Sequence, residues 1–217
     1  MPMKEDRIKT LLQASKSAGP LTVGFLLVPN FSMLAFASAI EPLRAANRMS
    51  GQNLFSWVIS SPTGAAPEAS NGVRVDVQGT PEMLQDCRLV FVCAGLEVKA
   101  HADKETLNLI RRLDRKGAII GAICTGTYLM AAAGLLDDRR CTIHWENIDG
   151  LAEEFPLLEI TNELFEIDDK RVTCSGGTAS LDMILYLIGQ VHGQGLAAQV
   201  SDQFIHDRIR EPSDRQR

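Results

Sequence analysis

The chain lacks most of what would mark a metal enzyme, an exported protein or a membrane protein. Its five cysteines, Cys87, Cys93, Cys124, Cys141 and Cys174, are odd in number and contain no CxxC spacing, so neither a disulfide framework nor a zinc knuckle is favoured. That usage fits a reducing cytoplasm. No HExxH pair, paired carboxylate or metal-spaced cluster is present, so neither a metal nor a cofactor is expected. No apolar run reaches the length of a membrane span, and the first residues, with Lys4, Glu5, Asp6, Arg7 and Lys9, contain no apolar signal core. Clustered basic charge is missing as well. A formal net charge of -5 argues against the chain gripping nucleic acid or an anionic membrane by itself.

What is present is ample apolar material in short bursts. With 217 residues and 45% hydrophobic content, the chain can fill the core of one domain. Continuous runs at Leu21–Val28, Arg88–Cys93 and Gly117–Ile123 read as strands buried on both faces, and Leu54–Ser60 and Val73–Val77 read as shorter strands. Helical spacing recurs from Ser32 to Asn47, with Pro42 predicting a kink or break, and again over Asp103–Arg115 and through Leu181, Ile184, Leu185 and Ile188. Phe165 lies in a predicted hairpin made of Glu163–Ile167, the turn Asp168-Asp169 and Arg171–Cys174. Strands alternating with helices predict an α/β fold with a mostly parallel sheet covered on both faces, a three-layer α/β/α sandwich. Residues 1–19 read as a flexible leader and 20–206 as the domain. The charged residues 207–217 have almost nothing to bury and read as a linker.

Cys124 is the most informative single residue. It stands where the run ending at Ile123 turns into the helix-like Thr125–Gly134, the pattern of a nucleophile elbow. A helix N-terminus pointing at the thiol should lower its pKa and favour thiolate. Such a site can react or can merely bind. His144 could orient or deprotonate the thiol, Trp145 could give a ligand an aromatic wall, and Gly95, at the end of a buried strand, could offer backbone N–H donors. Ser175-Gly176-Gly177-Thr178 reads as a strand-to-helix joint too short for a phosphate fingerprint. Asp182 reads as an early-turn charge favourable to the helix dipole.

The strand, Ala122-Ile123-Cys124-Thr125-Gly126, the Ala-rich helix ending Ala133-Gly134-Leu135-Leu136 and Thr142-Ile143-His144-Trp145 together resemble the PfpI/ThiJ superfamily of class I glutamine amidotransferase-like (flavodoxin-like) domains. The resemblance spans about residues 21–205. It is strongest to the sensor half of AraC/XylS-family transcriptional regulators, and it implies that 207–217 open the linker into a C-terminal helix-turn-helix DNA-binding domain outside the chain. The stretch Phe36–Asn47 resembles the first helix of regulators of carnitine, glycine betaine and related quaternary-amine catabolism.

The resemblance implies a small-molecule effector at the C-terminal strand ends. It would be held by Cys124, Thr125, His144, Trp145, Gly95 and Leu96 and by the loop Asn30, Phe31 and Ser32. DNA would be contacted only through the further domain, and the partner in assembly would be a second copy. No catalytic residue is assigned. Enzymes of the superfamily place a carboxylate early in the first helix to bond the elbow cysteine, and here Ala35 stands in its place. Glu41, six residues on, is turned about 240° round the helix. PfpI-like proteases place a histidine after the cysteine, where this chain has Thr125. The rival expectations are a thiol enzyme, such as an amidase, hydratase or aldehyde-processing protein, and a scaffold that binds only protein.

Overall fold

The computed structural model describes residues 19–217, so the predicted leader lies outside the described residues except for Gly19. Five parallel strands and one antiparallel edge form a six-stranded sheet in the order β2-β1-β3-β4-β8-β7. They are β1 (Leu21–Leu27), β2 (Phe55–Ser60), β3 (Leu89–Cys93), β4 (Ile119–Ile123), β7 (Phe165–Asp168) and β8 (Arg171–Cys174). The predicted hairpin is the β7–β8 pair, with Asp169 in the left-handed region at its turn.

The side-chain alternation of each central strand sorts residues into two cores. Val23, Phe25, Leu27, Leu89, Phe91, Cys93, Ile119 and Ile123 face one layer. That layer is α1 (Met33–Ser50), α5 (Ala179–His192) and α6 (Gln194–Gln203). Leu26, Val90, Val92, Ile120 and Ala122 face the other. It contains α2 (Lys104–Arg115), α3 (Gly126–Ala132) and α4 (Ile148–Glu154). Because both faces are covered, the strands must be apolar throughout, which is why they read as unbroken runs.

Ser32 caps α1 by accepting the Ala35 N–H (3.3 Å), and Gly51 closes it in the left-handed conformation. Pro42 does not end the helix: it is buried in the packed face, and the helix continues two turns beyond it. Val73–Val77 is not a strand. Val73 is half exposed, only Val75 packs against the core, and the segment forms a single isolated bridge, Glu68 with Arg74, instead of joining the sheet. A small parallel pair unread from the sequence, β5 (Arg140–Thr142) with β6 (Glu159–Thr161), closes the far end.

Residues 207–217 lie against the body of the domain. Asp214 accepts the Leu164 N–H (2.9 Å) and Gln216 donates its N–H to Asn162 (3.1 Å). Asp182 does stand in the opening turn of its helix. It is fully buried and bound by Arg210 and His206 from this segment.

Candidate functional site

The sheet order places a topological switch beside β1, where connections leave in opposite directions, and open α/β sheets carry their ligand crevice there. A cleft of about 850 Å³ opens at those strand ends, lined by the segments after β1, β3, β4 and β5. Tight backbone packing sets its frame. A Cβ on Gly95 would collide with the Asn30 carbonyl, and one on Gly126 with the Val92 carbonyl. Thr125 donates its hydroxyl to the Gly95 carbonyl (2.6 Å), tying the β3 and β4 loops together.

Cys124 sits at the sharp turn itself, with φ 59° for a non-glycine residue. Its N–H donates to the Cys174 carbonyl (2.9 Å). Gly176, at φ 91°, passes so close that a Cβ there would lie 2.6 Å from that of Cys124. The strand-to-helix joint after β8 is therefore one wall of the elbow. Enclosed this way, the thiol is only 8% exposed.

Burial pushes the Cys124 thiol up to about 11; the Thr125 backbone N–H pulls the other way, and the Glu146 carboxylate adds a smaller rise. The expectation of a lowered pKa is thus reversed. A seven-residue helix offers too little against the loss of solvent around the sulfur.

Of the sequence-predicted residues, Cys124, Thr125, His144, Gly95, Leu96 and Ser32 line the cleft. Asn30 stands behind it, donating to Glu97 Oε2 (3.3 Å). Phe31 does not reach it: the ring is fully buried, edge-on to Phe36 with centroids 5.8 Å apart. Trp145 also points elsewhere, lying under the Arg217 guanidinium at 4.2 Å. Ala35 brings no acid and is buried, and Glu41 is paired with Arg44 (2.6 Å) on the outer face of α1. His144 Nδ1 stands 3.6 Å from Glu146 Oε2.

Sequence reasoning missed Tyr128, Glu146 and Asn147 as lining residues and left Glu97 unplaced. Tyr128 supplies the aromatic wall that Phe31 and Trp145 do not. Its hydroxyl donates to Glu154 Oε1 (2.7 Å), Lys99 Nζ donates to Glu154 Oε2 (2.6 Å), and Lys99 lies 5.5 Å from the ring centroid. Lys99 is thereby neutralised by Glu154. Glu97 and Glu146 leave the lining with an acidic balance suited to a cation. Among the described residues there is no cluster able to hold a metal ion.

Sheet order, elbow and flanking layers together define a class I glutamine amidotransferase-like α/β domain. Residues 33–190 match the DJ-1/PfpI family, and the chain belongs to it. The HTH-type transcriptional regulator CdhR of Pseudomonas aeruginosa is 49% identical over 193 residues, which are 89% of this chain and 57% of that protein. The HTH-type transcriptional regulator GbdR of the same species is 40% identical over 202 residues, 93% of this chain and 55% of that protein. The chain thus spans just over half the length of these curated relatives. Among solved structures, an AraC family transcriptional regulator from Pseudomonas putida superposes with a TM-score of 0.77 at 28% identity, covering 85% of this chain and all of that one.

Proposed function

We propose that the chain is the small-molecule-sensing part of an AraC-type transcriptional regulator and that its cleft binds without turning over its ligand. The effector is a small cation of the quaternary-amine or amino-acid type, seated between Tyr128 and the Glu97 and Glu146 carboxylates above Cys124. One observation carries the non-catalytic reading: the elbow cysteine is buried, and no side-chain base or acid among the described residues is hydrogen-bonded to its sulfur. Nucleophilic catalysis needs such a partner within hydrogen-bond reach.

The regulator assignment is supported by relatives named as HTH-type regulators whose length exceeds that of this chain. DNA contact then belongs to a separate helix-turn-helix domain, and a homodimer would match paired half-sites. A cytoplasmic setting accords with five free cysteines. No described helix is long and apolar enough to cross a membrane.

Thermal-shift titration with quaternary amines, amino acids and small carboxylates tests the reading. A ligand at a hundred times its Kd stabilises by about 2.7 kcal/mol, which raises Tm by about 5–10 °C for a chain of this size. Steady consumption of any of these compounds by purified protein would refute it.

A further inference from the structure

The segment that leaves α6 is fastened to the body at two places of unequal strength. The first is Asp182, in the opening turn of α5 and fully buried. Its Oδ2 accepts from Arg210 Nε (2.9 Å) and Nη2 (2.6 Å), and its Oδ1 faces the Arg210 backbone N–H (2.7 Å) and His206 Nε2 (2.8 Å). Arg210 also donates to the Thr178 hydroxyl (2.8 Å). This is a charged anchor in which two guanidinium nitrogens close on one oxygen of a fully buried carboxylate.

The second fastening is lighter and lies at the cleft. Gln216 Nε2 donates to the Ile143 carbonyl (2.9 Å), the Thr142 hydroxyl (3.0 Å) and the Glu163 carbonyl (3.2 Å), and the backbone of the segment pairs with Asn162 and Leu164. The Arg217 guanidinium covers the indole of Trp145, which remains 41% exposed. Ile143, His144, Glu146 and Asn147 line the cleft, whereas Trp145, in the midst of them, faces the strap. One short run of backbone therefore has the cleft on one side and the chain's last residues on the other.

We propose that residues 206–217 form a strap, pivoted on Asp182, whose distal end docks on the Ile143–Asn147 wall in competition or in concert with what fills the cleft. The inference rests on the reading of the cleft as an effector site and names how that site is heard. A ligand touching His144 or Glu146 fixes the position of the wall that Gln216 and Arg217 grip from behind. Two sites that share a movable element are coupled, and the coupling is reciprocal. The distal end is the part that opens, because part-buried hydrogen bonds between neutral groups and a cation–π contact cost less to part than the pivot, which leaves a buried carboxylate bare. In the proposed regulator this strap is the path toward the DNA-binding domain.

The test needs no knowledge of the natural ligand. In the 217-residue chain, Gln216→Ala with Arg217→Ala removes the distal side-chain contacts and leaves the core and the pivot untouched. Cys124 alkylation by iodoacetamide at pH 9, followed by peptide mass spectrometry, then reports the openness of the wall. We expect alkylation about fivefold or more faster than in the unaltered chain, the factor that one net hydrogen bond corresponds to. The converse measurement uses the carboxamidomethyl adduct on Cys124 as a covalent occupant, which should change hydrogen exchange at the Gln216 and Leu164 amides. A Cys124 rate that stays within about twofold in the double variant, with unchanged circular dichroism, overturns the strap, since even one such contact is worth more than that. A parallel titration with glycine betaine as the quaternary-ammonium probe reports on the effector reading separately. Its failure leaves the thiol result to decide the strap alone.

Discussion

The sharpest separation between a sensor and a thiol enzyme lies in the pH profile of Cys124 alkylation. A thiol at about 11 is about 0.03% ionised at pH 7.5, whereas an unperturbed cysteine near 8.5 is about 10% ionised. That difference alone slows alkylation about 300-fold. A more basic thiolate is also the better nucleophile, with a Brønsted slope of about 0.4–0.5, which returns roughly tenfold over this interval. The net expectation is a reaction about 20- to 30-fold slower than that of a free cysteine, before any steric hindrance from the 8% exposure. Measured by mass spectrometry from pH 6.5 to 9.5, the rate should climb about tenfold per pH unit with no plateau. Glu146→Gln removes a charge that disfavours the thiolate, so it should raise the rate at each pH. A plateau with a midpoint below about 8 would mean that a thiolate stands ready at neutral pH. The enzyme reading would then return, and the burial argument would be wrong.

Gly126→Ala drives a methyl into the Val92 carbonyl and should cost about 3 kcal/mol in a guanidinium titration; unchanged stability would show that α3 can slide off β3 freely. Arg210→Ala leaves the buried Asp182 carboxylate without its main partner and should cost about 2–4 kcal/mol, or about 10 °C in Tm. Adding Asp182→Asn should recover part of that loss, and no recovery would mean that the charge was not the cause. Burial holds Cys87 and Cys124 near 11, Cys141 and Cys174 near 12 and Cys93 higher still. Their folded pKa values lie above the unfolded value, so stability is full below about pH 8.5 and falls as pH rises, by up to about 1.4 kcal/mol per pH unit per thiol. Urea midpoints that are flat from pH 7 to 10 would contradict this. Glu97→Gln and Glu146→Gln should each weaken glycine betaine binding in calorimetry, by about threefold to tenfold for a partly screened charge.

The central strands and the elbow were legible because their signal is local. A strand covered on both faces must be apolar at every position, and a sharp strand-to-helix turn writes itself in consecutive residues. What escaped depends on contacts between distant parts of the chain. Residues 207–217 read as a solvated charge run because the partner of Arg210 is Asp182, 28 positions away in sequence. Trp145 was grouped with His144 because they adjoin, and their rings do lie near each other (centroids 5.6 Å), yet of the two only His144 lines the cleft, while Trp145 lies under Arg217. Phe31 was drawn to the site by its place after β1, but its ring fills the gap above Phe36. The thiol was misjudged for the same reason: the start of a helix is visible in sequence, whereas Gly176 closing over the sulfur is not.

These long-range contacts also explain why the same elbow can serve binding under the proposed reading. The polar groups nearest the sulfur are spent on the frame: Thr125 on the Gly95 carbonyl, Ser32 on the Ala35 N–H, and the Cys124 N–H on the Cys174 carbonyl. A frame built from such close backbone approaches deforms little, so a ligand cannot signal by moving it. The wall from Ile143 to Glu154 is different, consisting of a 3₁₀ turn and a two-turn helix with only Ile143 and Leu151 buried. Signalling requires an element with two accessible arrangements and a ligand that prefers one. In this domain the wall is lightly packed, and it is also the part that touches both the cleft and the strap.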